Sequence, residues 1–244
     1  MPIHDQYTRE VFNQLKYNAT WLPTVRLAPG DVCSMSGHEL RVVSHLREFE
    51  IDYEVEERRV QSDFEYSSEG AVSMHVKAIG EAPAAGSLLK VEDAGISLSF
   101  ARSKAVILRL GQCSGRHLKS LHKVGQQILR LHGSGDWPEG YVVVDEIVIA
   151  GAATIIISSG DKAGIDLIAK GAVGKGALTL ASLDASFQVA RESNIGAKFI
   201  AEPGLTPLVR VSGIRKPFFG DDTFRGGSSQ SSALKLEDVD YVDY

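Results

Sequence analysis

Ala71-Val72-Ser73-Met74-His75-Val76-Lys77-Ala78-Ile79 sets Val72, Met74, Val76 and Ala78 on one side and Ser73, His75 and Lys77 on the other. A repeat of two is the side-chain period of a strand, whereas a helix would repeat its apolar residues at three and four. One dry face and one wet face is the mark of an antiparallel sheet that covers a core on one side. The pattern returns downstream, where Ile96, Leu98 and Phe100 alternate with Ser97 and Ser99. After Arg102-Ser103-Lys104 it resumes at Val106, Leu108 and Leu110, which reads as two strands joined by a short polar turn. Farther along, Ile165 and Leu167 flank Asp166, Leu178 and Leu180 flank Thr179, and Phe187 and Val189 alternate with polar or small neighbours. Lys198-Phe199-Ile200 and Leu208-Val209-Arg210-Val211 complete the downstream strands.

Upstream, Phe49 to Val55 alternates apolar and acidic residues, and Leu40-Arg41-Val42-Val43 reads as a short strand. Trp21 to Leu27 is strand-like and closes on Pro29-Gly30-Asp31, a turn signal. Tyr141 to Ala150 is apolar except at Asp145-Glu146, as expected of a buried central strand, and Ala152 to Ser158 continues it. Two helices interrupt the strands. Over 5–16, Tyr7, Val11 and Leu15 recur at spacing four behind Asp5 as a candidate N-cap. Over 117–132, Leu118, Leu121, Val124, Ile128 and Leu131 form an apolar stripe opposite a basic face, and Gly133-Ser134-Gly135 ends the helix. The expected fold class is α+β, a mostly antiparallel β-sheet with packed helices.

The chain has 244 residues, long enough for one sizeable core or at most two small ones, and at 43% hydrophobic and 23% charged its composition is ordinary for a globular protein. Its net charge of −5 is unevenly placed. From Asp221 onward Asp221, Asp222, Glu237, Asp238, Asp240 and Asp243 face only Arg225 and Lys235, so most of the negative charge sits in the tail. A near-neutral body with an acidic tail is not the basic stripe of a nucleic-acid binder. The tail is either an interaction element or merely solvating. Residues 220–232 are rich in glycine and serine and read as a flexible linker. The expected organisation is therefore a β-rich body over 1–219, that linker, and a tail over 233–244. No run of 18 apolar residues is present, so a transmembrane helix is not expected. Cys33 and Cys113 are far apart, which argues for a reducing compartment rather than a disulfide framework. The N-terminus, Met1 to Asp5, lacks the basic and apolar regions of a secretory signal.

No set of residues carries a catalytic cycle, and an enzyme is not expected. Gly171-Ala172-Val173-Gly174-Lys175-Gly176 lacks the Ser or Thr that a phosphate loop needs after Gly-Lys. His117 and His122 lie roughly 140° apart on a helix and share no face for a metal. Asp145 and Glu146 are neighbours on a strand and point to opposite faces, a poor arrangement for paired acid and base. Neither metal nor cofactor is expected. The basic face of the 117–132 helix, with Arg116, Lys119, Lys123 and Arg130, reads as an ordinary solvated face or as a contact for anionic lipid head groups.

Several stretches together resemble a gasdermin N-terminal domain of the compact microbial kind. The opening helix followed by Leu22-Pro23-Thr24-Val25-Arg26-Leu27 is similar to the family's first helix and strand. Tyr141-Val142-Val143-Val144-Asp145-Glu146-Ile147 is similar to its hydrophobic strand after a helix. Pro203-Gly204-Leu205-Thr206-Pro207-Leu208-Val209-Arg210-Val211 is similar to a strand near the domain's end. The resemblance implies a twisted sheet and a pore-forming protein held inactive by its C-terminal tail. A protease would cut the connection, and Arg215, Lys216 and Arg225 are candidate sites. Leu234, Leu236, Val239, Tyr241, Val242 and Tyr244 would form the restraining face of the tail. The freed body would bind anionic lipid, extend β-hairpins from the blocks near 64–111 and 150–201, and assemble with copies of itself, causing cell death, here in antiphage defence. Its place would be the cytoplasm before activation and the inner membrane after. The chain lacks the lipidated N-terminal cysteine of many microbial members. The other reading is a non-lytic β-rich binding scaffold with an acidic interaction tail.

Overall fold

The structure is a computed structural model that describes residues 2–36, 39–169, 187–215 and 223–226. In chain order the elements begin with helix α1 (Ile3–Leu15), the short β1 (Asn18–Ala19), β2 (Asp31–Ser36), β3 (Glu39–His45) and a 3-10 turn (Leu46–Phe49). Next come β4 (Val55–Arg58), β5 (Phe64–Ser67), β6 (Val72–Lys77), β7 (Gly95–Phe100), β8 (Val106–Gly111), β9 (Ser114–Leu118) and helix α2 (Leu121–Ser134). The chain continues through β10 (Tyr141–Ala150), β11 (Ala152–Ser158), β12 (Ala163–Ala169), β13 (Phe187–Ser193), β14 (Ile195–Glu202), β15 (Leu205–Arg215) and β16 (Thr223–Gly226). The fold is α+β with mostly antiparallel sheets and, among the described residues, two α-helices. Two compact units share the chain: the first takes residues up to Glu10, 61–113 and 150–205, the second 11–60, 114–149 and those from 206 onward.

The second unit is one large sheet whose main path runs β1-β15-β10-β2-β3, with β16 on β15, β9 on β10 and β4 on β9. β10 is its centre and is buried along most of its length, as its near-continuous apolar run predicts. Val143 points into a cluster with Val32, Leu46, Ile51, Leu118, Val124, Ile128 and Trp137. Val144 and Ile147 belong to another cluster, with Leu27, Cys33, Leu40, Val209 and Val211. The apolar stripe of α2 is real from Leu121 onward, with Val124 and Ile128 fully inside.

Four local expectations are corrected. The helix expected over 117–132 starts at Leu121, because His117 and Leu118 pair with Glu146 and Val55 in the sheet. Phe49–Glu54 is not a strand: His45 caps a 3-10 turn, Glu50 ends it in the left-handed region at φ 57, residues 51–54 are irregular, and only Val55 enters a strand, β4. Trp21–Leu27 is irregular, and instead of a ladder the Leu27 amide donates to Thr206 Oγ1 at 2.9 Å. The segment read as a linker contains β16, which pairs Phe224 with Ile214 and Arg225 with Gly213. The strand at Leu178–Leu180 falls outside the described residues.

β16 is seated by a missing side chain. A Cβ on Gly125 of α2 would stand 2.6 Å from the Phe224 ring, far inside contact distance. Gly125→Leu is therefore expected to push Phe224 off α2 and loosen the β15–β16 ladder while sparing the rest of the helix. Trypsin should then cut after Arg225 several-fold faster than in the wild type, since cleavage follows the population of the opened strand. An unchanged rate at that bond would count against the packing.

Candidate functional site: a creased four-stranded ribbon

The first unit holds two four-stranded sheets, ordered β14-β11-β8-β5 and β13-β12-β7-β6. The second order repeats the first with each strand replaced by its neighbour in the chain. The unit is thus one ribbon of four long strands, residues 64–77, 95–111, 152–169 and 187–202, folded over at a common crease. β7 and β8 are not paired with each other, contrary to the hairpin expected from Arg102-Ser103-Lys104: β7 pairs with β6 and β12, and β8 with β5 and β11. A polar break in an alternating run marks a bend as readily as a hairpin, and the partners decide which it is. Folding the ribbon brings Ile107 and Ile156 of one limb against Ile96, Leu98, Phe100, Ile165 and Leu167 of the other.

Each strand turns the crease with one residue in the left-handed region: Gly70 at φ 63, Lys104 at 57, Lys162 at 56 and Asn194 at 52. The three that are not glycine each cost about 1 kcal/mol of backbone strain. Two buried serines satisfy amides that the interrupted ladders leave over. Ser68 Oγ accepts the Val106 amide and Ser158 Oγ the Ala105 amide, both at 2.9 Å, and the Ser158 hydroxyl also donates to Arg102 O at 2.8 Å. Asp161 Oδ1 accepts the Ser103 amide at 3.0 Å, and the Asn194 side-chain amide donates to Asp161 O at 3.2 Å. The stitching therefore runs across neighbouring strands, from 68 to 194.

One carboxylate from α1 closes the first two strands at the crease. Glu10 Oε2 accepts the Tyr66 hydroxyl at 2.8 Å and the Ser68 hydroxyl at 2.5 Å. Its Oε1 accepts Gln6 Nε2 at 2.5 Å and pairs with Arg102 Nη2 at 3.0 Å. Burial alone would raise the Glu10 pKa, but the four donors outweigh it and hold the group below its usual range. The same carboxylate and burial push the Tyr66 phenol up to about 12. Sequence reasoning missed Glu10, because nothing local to α1 signals partners more than fifty residues away.

In the second unit Asp145 and Glu146 take opposite faces of β10, as adjacent strand positions must. Glu146 Oε1 accepts the Tyr17 hydroxyl at 2.7 Å, while Oε2 pairs with Arg58 Nη1 at 2.7 Å and Arg210 Nη1 at 3.6 Å. Arg210 also lies over the Tyr17 ring, 4.4 Å from its centre. Asp145 accepts the Ser212 hydroxyl, yet burial, with a contribution from neighbouring Glu146, lifts its pKa to about 6.

The candidate lipid-contact cations separate. Lys123 and Arg130 are exposed on α2 and, seven residues apart, share one face. Arg116 is exposed on β9 rather than on a helix. Lys119 follows β9 and is held by Glu54 and Glu56, each at 3.0 Å, so its charge is already countered. Of the candidate cleavage residues, Arg215 pairs with Thr223 and Arg225 with Gly213, whereas Lys216 lies outside the described residues. Leu234, Leu236, Val239, Tyr241, Val242 and Tyr244 also lie outside them. Among the described residues no helix is long and apolar enough to cross a membrane, and no three His, Cys, Asp or Glu side chains converge on a metal position. Comparison with protein families, curated proteins and solved structures finds no match.

Two measurements probe these groups. Glu10→Ala strands the Tyr66 and Ser68 hydroxyls and Arg102, and should cost about 2 kcal/mol, lowering Tm by roughly 5 °C. Glu10→Gln should recover part of that loss. Asp145 has a folded pKa above its unfolded value of about 3.9. Its stabilisation is therefore complete below pH 4 and lost as pH rises through about 6. Asp145→Asn should raise Tm at pH 7.5 and flatten the fall in Tm between pH 5 and 7.5. An equal fall in both proteins would remove Asp145 as the cause.

Proposed function

We propose that the chain is a self-restrained pore-forming protein with a gasdermin-like fold, whose folded ribbon straightens into a membrane when its C-terminal tail is released. The crease is the observation that carries this reading. The central ladder, 95–111 with 152–169, keeps one register through the crease, whereas the two outer ladders change register there, so opening along this line, with the outer strands re-registering, gives two long hairpins, 64–111 and 152–202. Each strand then exceeds the roughly nine to eleven residues that a tilted membrane strand requires. In the β6–β7–β12 limb two kinds of side chain alternate: Ser73, His75, Ser97, Ser99 and Asp166 stand on one face, Ile96, Leu98, Phe100, Ile165 and Leu167 on the other. That is the pattern of a barrel with a wet lumen and a lipid-facing wall.

Among the described residues the outer strands of the ribbon, β5–β6 and β13–β14, are its open edges. Backbone groups cannot stay unpaired in hydrocarbon, so the edges must pair with further copies until the barrel closes. Lys123 and Arg130 are the cations best placed to meet anionic lipid first, with exposed Arg116 beside them in sequence. A protease is the activating partner. It meets Arg215 and Arg225 inside a paired ladder, so a cut at either must first open the β15–β16 pairing. The inactive protein is cytoplasmic and the assembled pore lies in the inner membrane, where it kills the cell as a defence against phage.

The test compares full-length protein with residues 1–226 on phosphatidylglycerol vesicles loaded with a self-quenched dye. The trimmed protein should release the dye and sediment with the vesicles as a large oligomer, and the full-length protein should do neither. If trimming only weakens binding or stability, the non-lytic scaffold is the better description.

A further inference from the structure

The outer face of the β6–β7–β12–β13 sheet carries a polar row. Register sets His75 beside Ser97, Ser97 beside Asp166, and Asp166 beside Arg191. The next row on that face is Ser73, Ser99, Gly164 and Ser193. The β6–β7 connection, residues 78–94, folds back over this face as a strap. The Leu88 amide donates to Asp166 Oδ2 at 2.8 Å, the Ser97 hydroxyl to Ser87 Oγ at 2.9 Å, and Arg191 Nη1 to Gly86 O. The root of the strap is pinned by Lys77, fully buried, whose ammonium donates to the carbonyls of Val91 at 3.2 Å and Asp93 at 2.5 Å. Between strap and sheet lies a cavity of about 450 Å³.

The lining favours a polar anion. Gly164 and the small serines leave the floor deep and rich in hydroxyls. Arg191 and Lys162 are the cations of the wall, with His75 across the floor. Among the described lining residues Asp166 is the sole carboxylate, and it is engaged by the strap. Arg191 gives one N–H to Gly86, and its planar fork keeps further donors of the geometry that matches phosphate oxygens. In the row Ser97 stands between His75 and Asp166, so the carboxylate does not orient the imidazole as a nucleophilic relay requires. The arrangement is built to hold, and its volume matches a small metabolite.

We propose that this cavity binds a phosphomonoester of about sugar-phosphate size, with Arg191 and Lys162 on the phosphate, the hydroxyls of Ser73, Ser99 and Ser193 on the polyol, and the strap at 84–88 as its cover. The proposal stands apart from pore formation, since the cavity exists in the folded ribbon.

Two substitutions separate binding from folding. A Cβ on Gly164 would meet only Leu98 O at 3.4 Å and Ser193 Oγ at 3.8 Å, so Gly164→Leu is tolerated by the backbone and fills the floor. Lys162 is exposed, so Lys162→Ala leaves packing alone. Full-length protein is titrated with glycerol 3-phosphate by calorimetry and amide NMR, and sedimented with phosphatidylcholine vesicles with and without phosphatidic acid. Saturable binding should perturb the amides of Ser97, Ser99 and Ser193. Gly164→Leu should abolish it with Tm unchanged, and Lys162→Ala should weaken it roughly tenfold. If only vesicles with phosphatidic acid are bound, with the same dependence on both residues, the phosphate is that of a lipid head group. The site is refuted by binding in neither arm, or by binding that ignores both substitutions.

Discussion

Antiparallel strands in register cannot bend one at a time. A strand that turns out of plane leaves its ladder partners unpaired unless they turn at the same level, and each unpaired buried amide costs about as much as a lost hydrogen bond. The ribbon of the first unit meets this constraint by turning all four strands together. Its left-handed residues fall one to a strand, at Gly70, Lys104, Lys162 and Asn194. Ser68 and Ser158 supply hydroxyls where the ladders lapse, and both are almost wholly buried. Glu10 then ties the first two strands at the same level. The strap, the polar row and the dry core of the folded limbs all follow from where that line falls.

The second unit solves a different problem. β10 is covered on both faces, so any polar residue on it must be satisfied inside the sheet. Glu146 takes one hydroxyl and two guanidinium groups from residues distributed over β4, β15 and the segment before β1. Such a network is costly to break and stabilises little relative to a well-packed apolar alternative. Its effect is positional: Tyr17 can bond to Glu146, and Arg58 and Arg210 can counter its charge, only when the strands that carry them are in one register. Asp145, on the opposite face, is hydrogen-bonded among the described residues by the Ser212 hydroxyl and relieves its burial by holding its proton to higher pH.

What the sequence discloses is periodicity, and what it withholds is partnership. The period-two runs at 71–79, 96–100 and 106–110 are strands, and the long apolar run at 141–150 is a central strand, because both patterns depend on burial alone. The same alternation at Phe49–Val55 misleads, since a capped 3-10 turn and a left-handed Glu50 intervene. Arg102-Ser103-Lys104 is locally indistinguishable from a hairpin turn, and only the pairing of β7 with β12 and β8 with β11 makes it a crease. Leu118 extends the apolar stripe of α2 on paper and His117 its polar face, yet a ladder to β10 and β4 outweighs that helical continuation. Lys119 reads as a free cation until Glu54 and Glu56 are found beside it. Apart from Gln6, the partners of Glu10 lie more than fifty residues away, and the cavity under the strap likewise joins segments distant in sequence, so no window of residues contains either.

The crease also fixes where any barrier to opening must lie. Straightening the ribbon preserves the ladders within each limb, so most backbone hydrogen bonds are neutral in the change. What is given up is the apolar contact between limbs, the two serine bridges and the Glu10 cluster. What is regained is the strain of three left-handed residues, about 3 kcal/mol in all. Water cannot repay the loss of the inter-limb core, because opening would expose Ile96, Leu98, Phe100, Ile165 and Leu167 at roughly 25 cal/mol per Å². A hydrocarbon surface removes that penalty, since it accepts the same side chains. If the chain opens into membranes as proposed, the ribbon is held shut by water itself, and the few polar contacts at the crease would set how readily a bilayer reverses the balance.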